Sequence, residues 1–112
     1  MINIKHKIGD SIQWTITAKN SNGIAVDLTG FSVNIDAYSE NSRTPLFTID
    51  SRTSTADNSV TVPNPATGVI QVIIKNTDNF REGEYYCDIQ YVDSNGLKSS
   101  SNNFRLKVSR WT

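Results

Sequence analysis

Cysteine is all but missing from this 112-residue chain: Cys87 stands alone, so no disulfide can form within it. That excludes a small secreted scaffold held by bridges and fits folding in a reducing cytoplasm. Histidine is equally scarce. His6 and Cys87 are too few soft ligands for a structural zinc site within one chain. The carboxylates are scattered without the spacing of a calcium loop, so no metal or cofactor is expected. An excess of charge is lacking too, with eleven basic residues against eleven acidic ones and a net charge of zero. A nucleic-acid partner calls for a basic face, and none is expected here. No segment approaches the ~20 apolar residues of a membrane span. Met1–Lys7 has no apolar core of a signal peptide. The chain therefore reads as complete, made inside the cell and without a membrane partner. Helical periodicity is nearly absent: only Asn76–Phe80 offers one helical turn, with Thr77 or Asn76 as its cap and Phe80 folded into the core.

What the chain does have is alternation with period two, the mark of half-buried strands. Ile12, Trp14, Ile16 and Ala18 face one way, and Gln13, Thr15, Thr17 and Lys19 the other. Phe31, Val33, Ile35 and Ala37 repeat the pattern. Residues 46–50 form a short strand, and Val60 and Val62 another that Pro63 and Pro65 end, because proline cannot donate to a ladder. Residues 68–75 are β-branched and apolar on both faces, which suits a central strand. Residues 84–92 and 103–109 complete the set. Asn20-Ser21-Asn22-Gly23 and Asp93-Ser94-Asn95-Gly96 supply two similar reversals. Residues 39–45 and 51–59 are polar and read as mobile loops. The expected fold is all-β: an immunoglobulin-like antiparallel β-sandwich of seven to eight short strands. It forms a single domain over 1–112, with 1–8 as an N-terminal arm or edge strand and 109–112 as a C-terminal tail. A domain of this length buries about two-thirds of its unfolded surface and can stand without staples.

No chemical constellation emerges. Gly83-Glu84-Tyr85-Tyr86-Cys87 is similar to the immunoglobulin Gly-x-Tyr-x-Cys segment, with Tyr85 placed as in a tyrosine corner. The partner cysteine is missing, and Arg81 stands where that pattern has an acid. Tyr85, Cys87, Ile89 and Tyr91 then make one inward strand face, the thiol acting as a small hydrophobe. As a nucleophile Cys87 would need a base. His6 lies on a mobile or edge segment and no third group orients it, so catalysis is not expected. Asp27-Leu28-Thr29-Gly30 occurs once, whereas acid proteases need paired loops; local hydrogen bonding and a turn at Gly30 are the better reading.

Surface recognition remains. Tyr38 and Tyr86 fall off the inward registers, Ile2 and Ile4 alternate with Asn3 and Lys5, and Trp111 sits one residue from the end. A terminal tryptophan is costly to leave in water, so it docks on its own domain or on a neighbour. Ile2, Ile4, Tyr38, Tyr86 and Trp111 are the candidate interface residues, with strand addition at a sheet edge as the mode.

Gly9-Asp10, Asn22-Gly23, Val26-Asp27-Leu28-Thr29-Gly30 leading into Phe31–Ile35, Gly68–Val72, Thr77–Phe80, Gly83–Gln90 and Asp93–Gly96 follow one another over residues 9–108. In this order the chain resembles the immunoglobulin-like β-sandwich domains of tailed bacteriophages, including the N-terminal domain of baseplate upper proteins and related tail- or head-fibre modules. The resemblance implies a virion structural protein, made in the host cytoplasm. Such a protein is a building block that docks on other virion proteins and on copies of itself and catalyses nothing. Baseplate relatives continue into fibre or receptor-binding regions, whereas this chain stops after Arg110-Trp111-Thr112. An adaptor, decoration or fibre-base protein of baseplate, tail or head is the expectation. The alternative is a carbohydrate-binding or adhesin module that presents Tyr38, Tyr86 or the loops 39–45 and 51–59 to a glycan.

Overall fold

Period-two alternation becomes nine strands in the computed structural model, which describes residues 2–39, 44–100 and 103–110. They are β1 (Ile2–Lys7), β2 (Ile12–Thr17), β3 (Ser32–Tyr38), β4 (Phe47–Asp50), β5 (Asn58–Asn64), β6 (Val69–Ile74), β7 (Gly83–Val92), β8 (Lys98–Ser100) and β9 (Phe104–Ser109). One sheet has the order β1-β9-β7-β3-β4, with β8 also on β7; the other has the order β2-β6-β5. These are the neighbours of an immunoglobulin sandwich, strands B, E and D facing G, F and C. The count passes the expected seven to eight by one. β8 is a three-residue stub, and β1 pairs along its whole length with β9, parallel rather than antiparallel.

The core is the inward half of each alternation. Ile12 and Ile16 of β2, Ile70 and Val72 of β6 and Val60 of β5 meet Val33, Ile35, Cys87, Ile89, Phe104 and Leu106 of the larger sheet. Trp14 lies between the layers, its ring edge-on to Phe104 at 5.6 Å and tilted on Phe47 at 6.3 Å. Phe47 in turn stacks on Phe80 at 5.8 Å. β6 is central in its sheet and apolar on both faces, as its composition predicts.

Three local expectations change. Pro63 does not end β5, which runs to Asn64. The strand is an edge, where a missing N–H costs no ladder bond, and its register with β6 shifts between Thr61 and Asn64. Residues 76–80 form no helical turn. Asn76 Oδ1 accepts from the Asp78 amide and the Phe80 amide donates to the Thr77 carbonyl, closing a reverse turn. Residues 51–59 are not a loose loop. Asp50 caps a 3-10 turn over Ser51–Thr53 and grips Arg52 through two side-chain bonds of 3.0 and 2.7 Å. Ser54 Oγ then bonds both the amide and the carbonyl of Val60. Of the mobile or edge segment expected for it, His6 takes the edge: it lies in β1, is 8% exposed, and has Phe80 edge-on at 5.9 Å.

The two Asn-Gly corners fold alike. In each, the residue opening the turn bonds the glycine amide through its carbonyl, and its own amide donates to the residue after the glycine. Its side-chain oxygen accepts two further amides: Asn22 and Ile24 on Asn20, Asn95 and Leu97 on Asp93. This is a three-residue hairpin loop whose glycine takes the left-handed position, with φ of +78° at Gly23 and +83° at Gly96.

Candidate functional site

Outward positions of the larger sheet bring two of the candidate residues, Tyr38 and Tyr86, together. Alternation leaves Glu84, Tyr86, Asp88 and Gln90 of β7, Asn34, Asp36 and Tyr38 of β3, Arg105 and Lys107 of β9, and Asn3 and Lys5 of β1 on this face. Register then sets their neighbours. Tyr38 is level with Tyr86, Tyr86 with Arg105, and Arg105 with Asn3. Lys5, Lys107 and Glu84 form the next row on one side. Asp36 and Asp88 oppose each other on the other side.

The Arg105 guanidinium lies 5.2 Å from the centre of the Tyr86 ring, and its Nη2 donates to Tyr86 Oη at 3.1 Å. Each partner thereby restrains the other, an arrangement worth about 0.5–1 kcal/mol at an exposed site. A shallow concavity of about 610 Å³ opens beside them, lined by Ser39, Arg81, Glu82, Glu84, Tyr86 and Arg105. A second of about 270 Å³ continues over Asn3, Lys5 and Lys107. Glu84 and Arg105 line both.

Charge is graded across the face. Lys5, Lys107 and Arg105 make the β1–β9 side basic. The facing carboxylates of Asp36 and Asp88 make the β3–β7 side acidic. Like charges directly opposite on a sheet repel. Tyr38 Oη donates to Asp36 Oδ2 at 3.3 Å. The Asp36 charge, helped by slight burial, that hydrogen bond and the more distant Asp88, raises the Tyr38 phenol above its ordinary pKa. Tyr38 is therefore a neutral donor at any physiological pH. A flat, graded, partly aromatic face can hold a protein surface of opposite grading.

Of the expected interface residues, Tyr38 and Tyr86 are therefore neighbours on this face. Ile4 is not with them: it faces inward, half-buried against the core. Ile2 pairs through its backbone with Phe104 at the sheet edge. Trp111 lies outside the described residues. Arg105 was missed by sequence reasoning, although the alternation Phe104-Arg105-Leu106-Lys107-Val108 points it outward.

The remaining chemistry-bearing residues are structural in their contacts. Thr77, fully buried, donates from Oγ1 to the Asp10 carbonyl at 2.7 Å. It accepts from the Gly9 amide at 3.0 Å and bonds His6 Nε2 at 3.1 Å. Burial lowers the His6 pKa, with Asp10 opposing through its charge and its backbone. His6 is level with Val108 and Gly83, whereas Cys87 is level with Phe104, four residues along β7. That offset is about 13 Å along the strand, so the two do not form a pair. Burial, then the Asp88 charge, pushes the Cys87 thiol up to about 12. Thr29 donates to Asp27 from both its amide, at 3.0 Å, and its hydroxyl, at 2.6 Å, a local turn as its sequence suggests. Tyr85 Oη donates to the Arg81 carbonyl at 2.8 Å, which completes a tyrosine corner without a disulfide beside it. Among the described residues, no three of His, Cys, Asp and Glu gather closely enough to hold a metal ion.

Comparison with known proteins gives one family. The model described as "BppU N-terminal domain" matches residues 1–110. No curated protein matches the chain. Among solved structures, the "GspB Siglec domain" superposes with a TM-score of 0.49 at 15% identity, over 96% of this chain and 53% of that one. The chain thus spans about half the length of that structure.

Proposed function

The chain belongs to the BppU N-terminal domain family, a structural domain of the phage baseplate, and on that premise we propose that it is a docking module of the virion. It is assembled in the host cytoplasm and occupies symmetric positions in several copies. It binds neighbouring virion proteins through the outer face of the β1-β9-β7-β3-β4 sheet and carries out no catalysis. The observation that carries the docking assignment is the row Tyr38–Tyr86–Arg105–Asn3, which joins a held aromatic pair to two adjoining concavities on one face. Aromatic and arginine side chains are the types that dominate protein interfaces.

Complementation of a phage lacking the chain tests this. Arg105→Glu inverts the charge at the junction of both concavities while leaving an exposed strand position. It is expected to abolish incorporation into purified particles, with the isolated variant folded as judged by circular dichroism. Wild-type incorporation of a folded Arg105→Glu protein would remove this face from the interface.

A further inference from the structure

Charges on the outer face of the larger sheet are not paired off within the chain. Among the described residues, Lys5, Lys107, Arg105, Asp36 and Asp88 make no ion pair. Asp50, one row beyond Asp36, is already held by Arg52 at 2.7 Å. Asp36 and Asp88 lie level on β3 and β7 and repel each other, and a cation from outside the chain would relieve them. The basic corner of the same face carries such cations. Register fixes how far apart the two corners are. With strands about 4.8 Å apart and outward residues about 6.8 Å apart along them, the midpoint between basic and acidic groups falls beside Tyr86 and Arg105.

We propose that this face seats a second copy of the chain, docked sheet to sheet as a symmetric pair. The inference rests on the docking assignment above and names its partner. The two-fold axis lies in the face, through that midpoint and across the charge gradient. On the same spacings, the second copy's Lys107 falls over Asp36, its Arg105 over Asp88, its Glu84 over Tyr38 and its Tyr86 over Tyr86, each to within about 3 Å. Every one of these carboxylates thus meets a cation or a phenol. One rotation satisfies the whole pattern, which an unrelated surface would have to match residue by residue. The strands of the two sheets cross at roughly 100°, close to the right-angle class of sheet packing. A net charge of zero removes general repulsion between copies. The strands β1, β9, β7, β3 and β4, about 20 Å long, bury about 1,000 Å² over both copies, the low end for a specific pair. The pair is therefore weak in dilute solution and strengthened where assembly holds copies close.

Sedimentation equilibrium of the full chain at low salt, up to about 1 mM, tests this. Wild type is expected to dimerise. Association should fall about ten-fold or more in Arg105→Glu and in Asp88→Lys, where like charges face each other twice. An equimolar mixture of the two variants should recover dimers, because each then meets its opposite. Lys107→Glu with Asp36→Lys repeats the test at the second contact should either first variant fail to fold. A wild type monomeric throughout, dimers indifferent to both inversions, or a mixture no better than its components would overturn the pair. If the pair fails while Arg105→Glu is still excluded from particles, the face holds a different virion protein and the docking assignment stands. Normal incorporation of folded Arg105→Glu would instead defeat that assignment.

Discussion

Replacing Gly68 by alanine is expected to be the most damaging single-methyl change in the molecule. Gly68 has a φ of +71°, a conformation that costs an L-residue about 1–2 kcal/mol on its own. Space adds a second penalty. A β-carbon there would lie 2.7 Å from the Val26 carbonyl oxygen and 2.9 Å from that of Ala18, both backbone atoms. Neither can rotate away. Relief requires moving the strand pair that holds the Ala18 amide on the Gly68 carbonyl at 2.8 Å and the Val26 amide on the Ala18 carbonyl at 2.9 Å. Weakening those two bonds costs about 1–3 kcal/mol more. The sum is about 2–5 kcal/mol, a large share of the 5–15 kcal/mol that holds a domain of this kind.

Gly23→Ala and Gly96→Ala are the controls, since both glycines have positive φ and nothing within 4 Å of the added carbon. They should lose only the conformational penalty of about 1–2 kcal/mol. Equilibrium urea unfolding followed by tryptophan fluorescence reads the difference as a shift in midpoint at constant slope. Gly68→Ala within about 0.5 kcal/mol of the two controls would refute the claim that backbone proximity, rather than φ, dictates glycine at this position.

Two further outcomes follow from buried polar groups. Tyr85→Phe removes the bond to the Arg81 carbonyl and nothing else, so unfolding experiments should show a loss of about 1–1.5 kcal/mol; no loss would mean that the corner is ornamental. His6 has a folded pKa below its ordinary value near 6.5, so the unfolded chain binds a proton that the folded one resists. Its contribution is complete above that value and is lost as the pH falls towards the folded pKa, so stability should decline from about pH 6.5 downward. His6→Gln should flatten that slope in a urea titration at several pH values, and an unchanged slope would assign it to other groups.

Strand positions and their inward faces were readable because inward and outward residues separate cleanly wherever one face is dry. Ile12, Trp14 and Ile16, or Val33, Ile35 and Ala37, leave no second register that keeps the core apolar. Local chemistry was readable at Asn20 and Asp93 for a similar reason, since both turns close on their own side chains. What escaped was whatever depends on distant parts of the chain. Pro63 reads as a terminator until β5 is known to be an edge. Asn76–Phe80 reads as a helical turn until Thr77 is seen holding Gly9, Asp10 and His6, some 67 to 71 residues away. The face of Tyr38 and Tyr86 was half legible: alternation gives the side, but only pairing with β9 brings Arg105 beside Tyr86.

That same pairing explains how the sandwich holds without its disulfide. An inter-sheet bridge contributes about 2–4 kcal/mol in domains that have one. Here Cys87 is fully buried as an ordinary apolar residue. The two layers are instead joined through Trp14 of β2, which contacts Phe104 and Phe47 of the larger sheet, and Phe47 stacks in turn on Phe80, which meets His6. Each such aromatic pair contributes about 0.5–1.5 kcal/mol beyond its buried area, so the two that cross the layers supply about 1–3 kcal/mol, the same order as the bridge. The substitution has a consequence for assembly. A fold tied by rings needs no oxidising compartment in order to form.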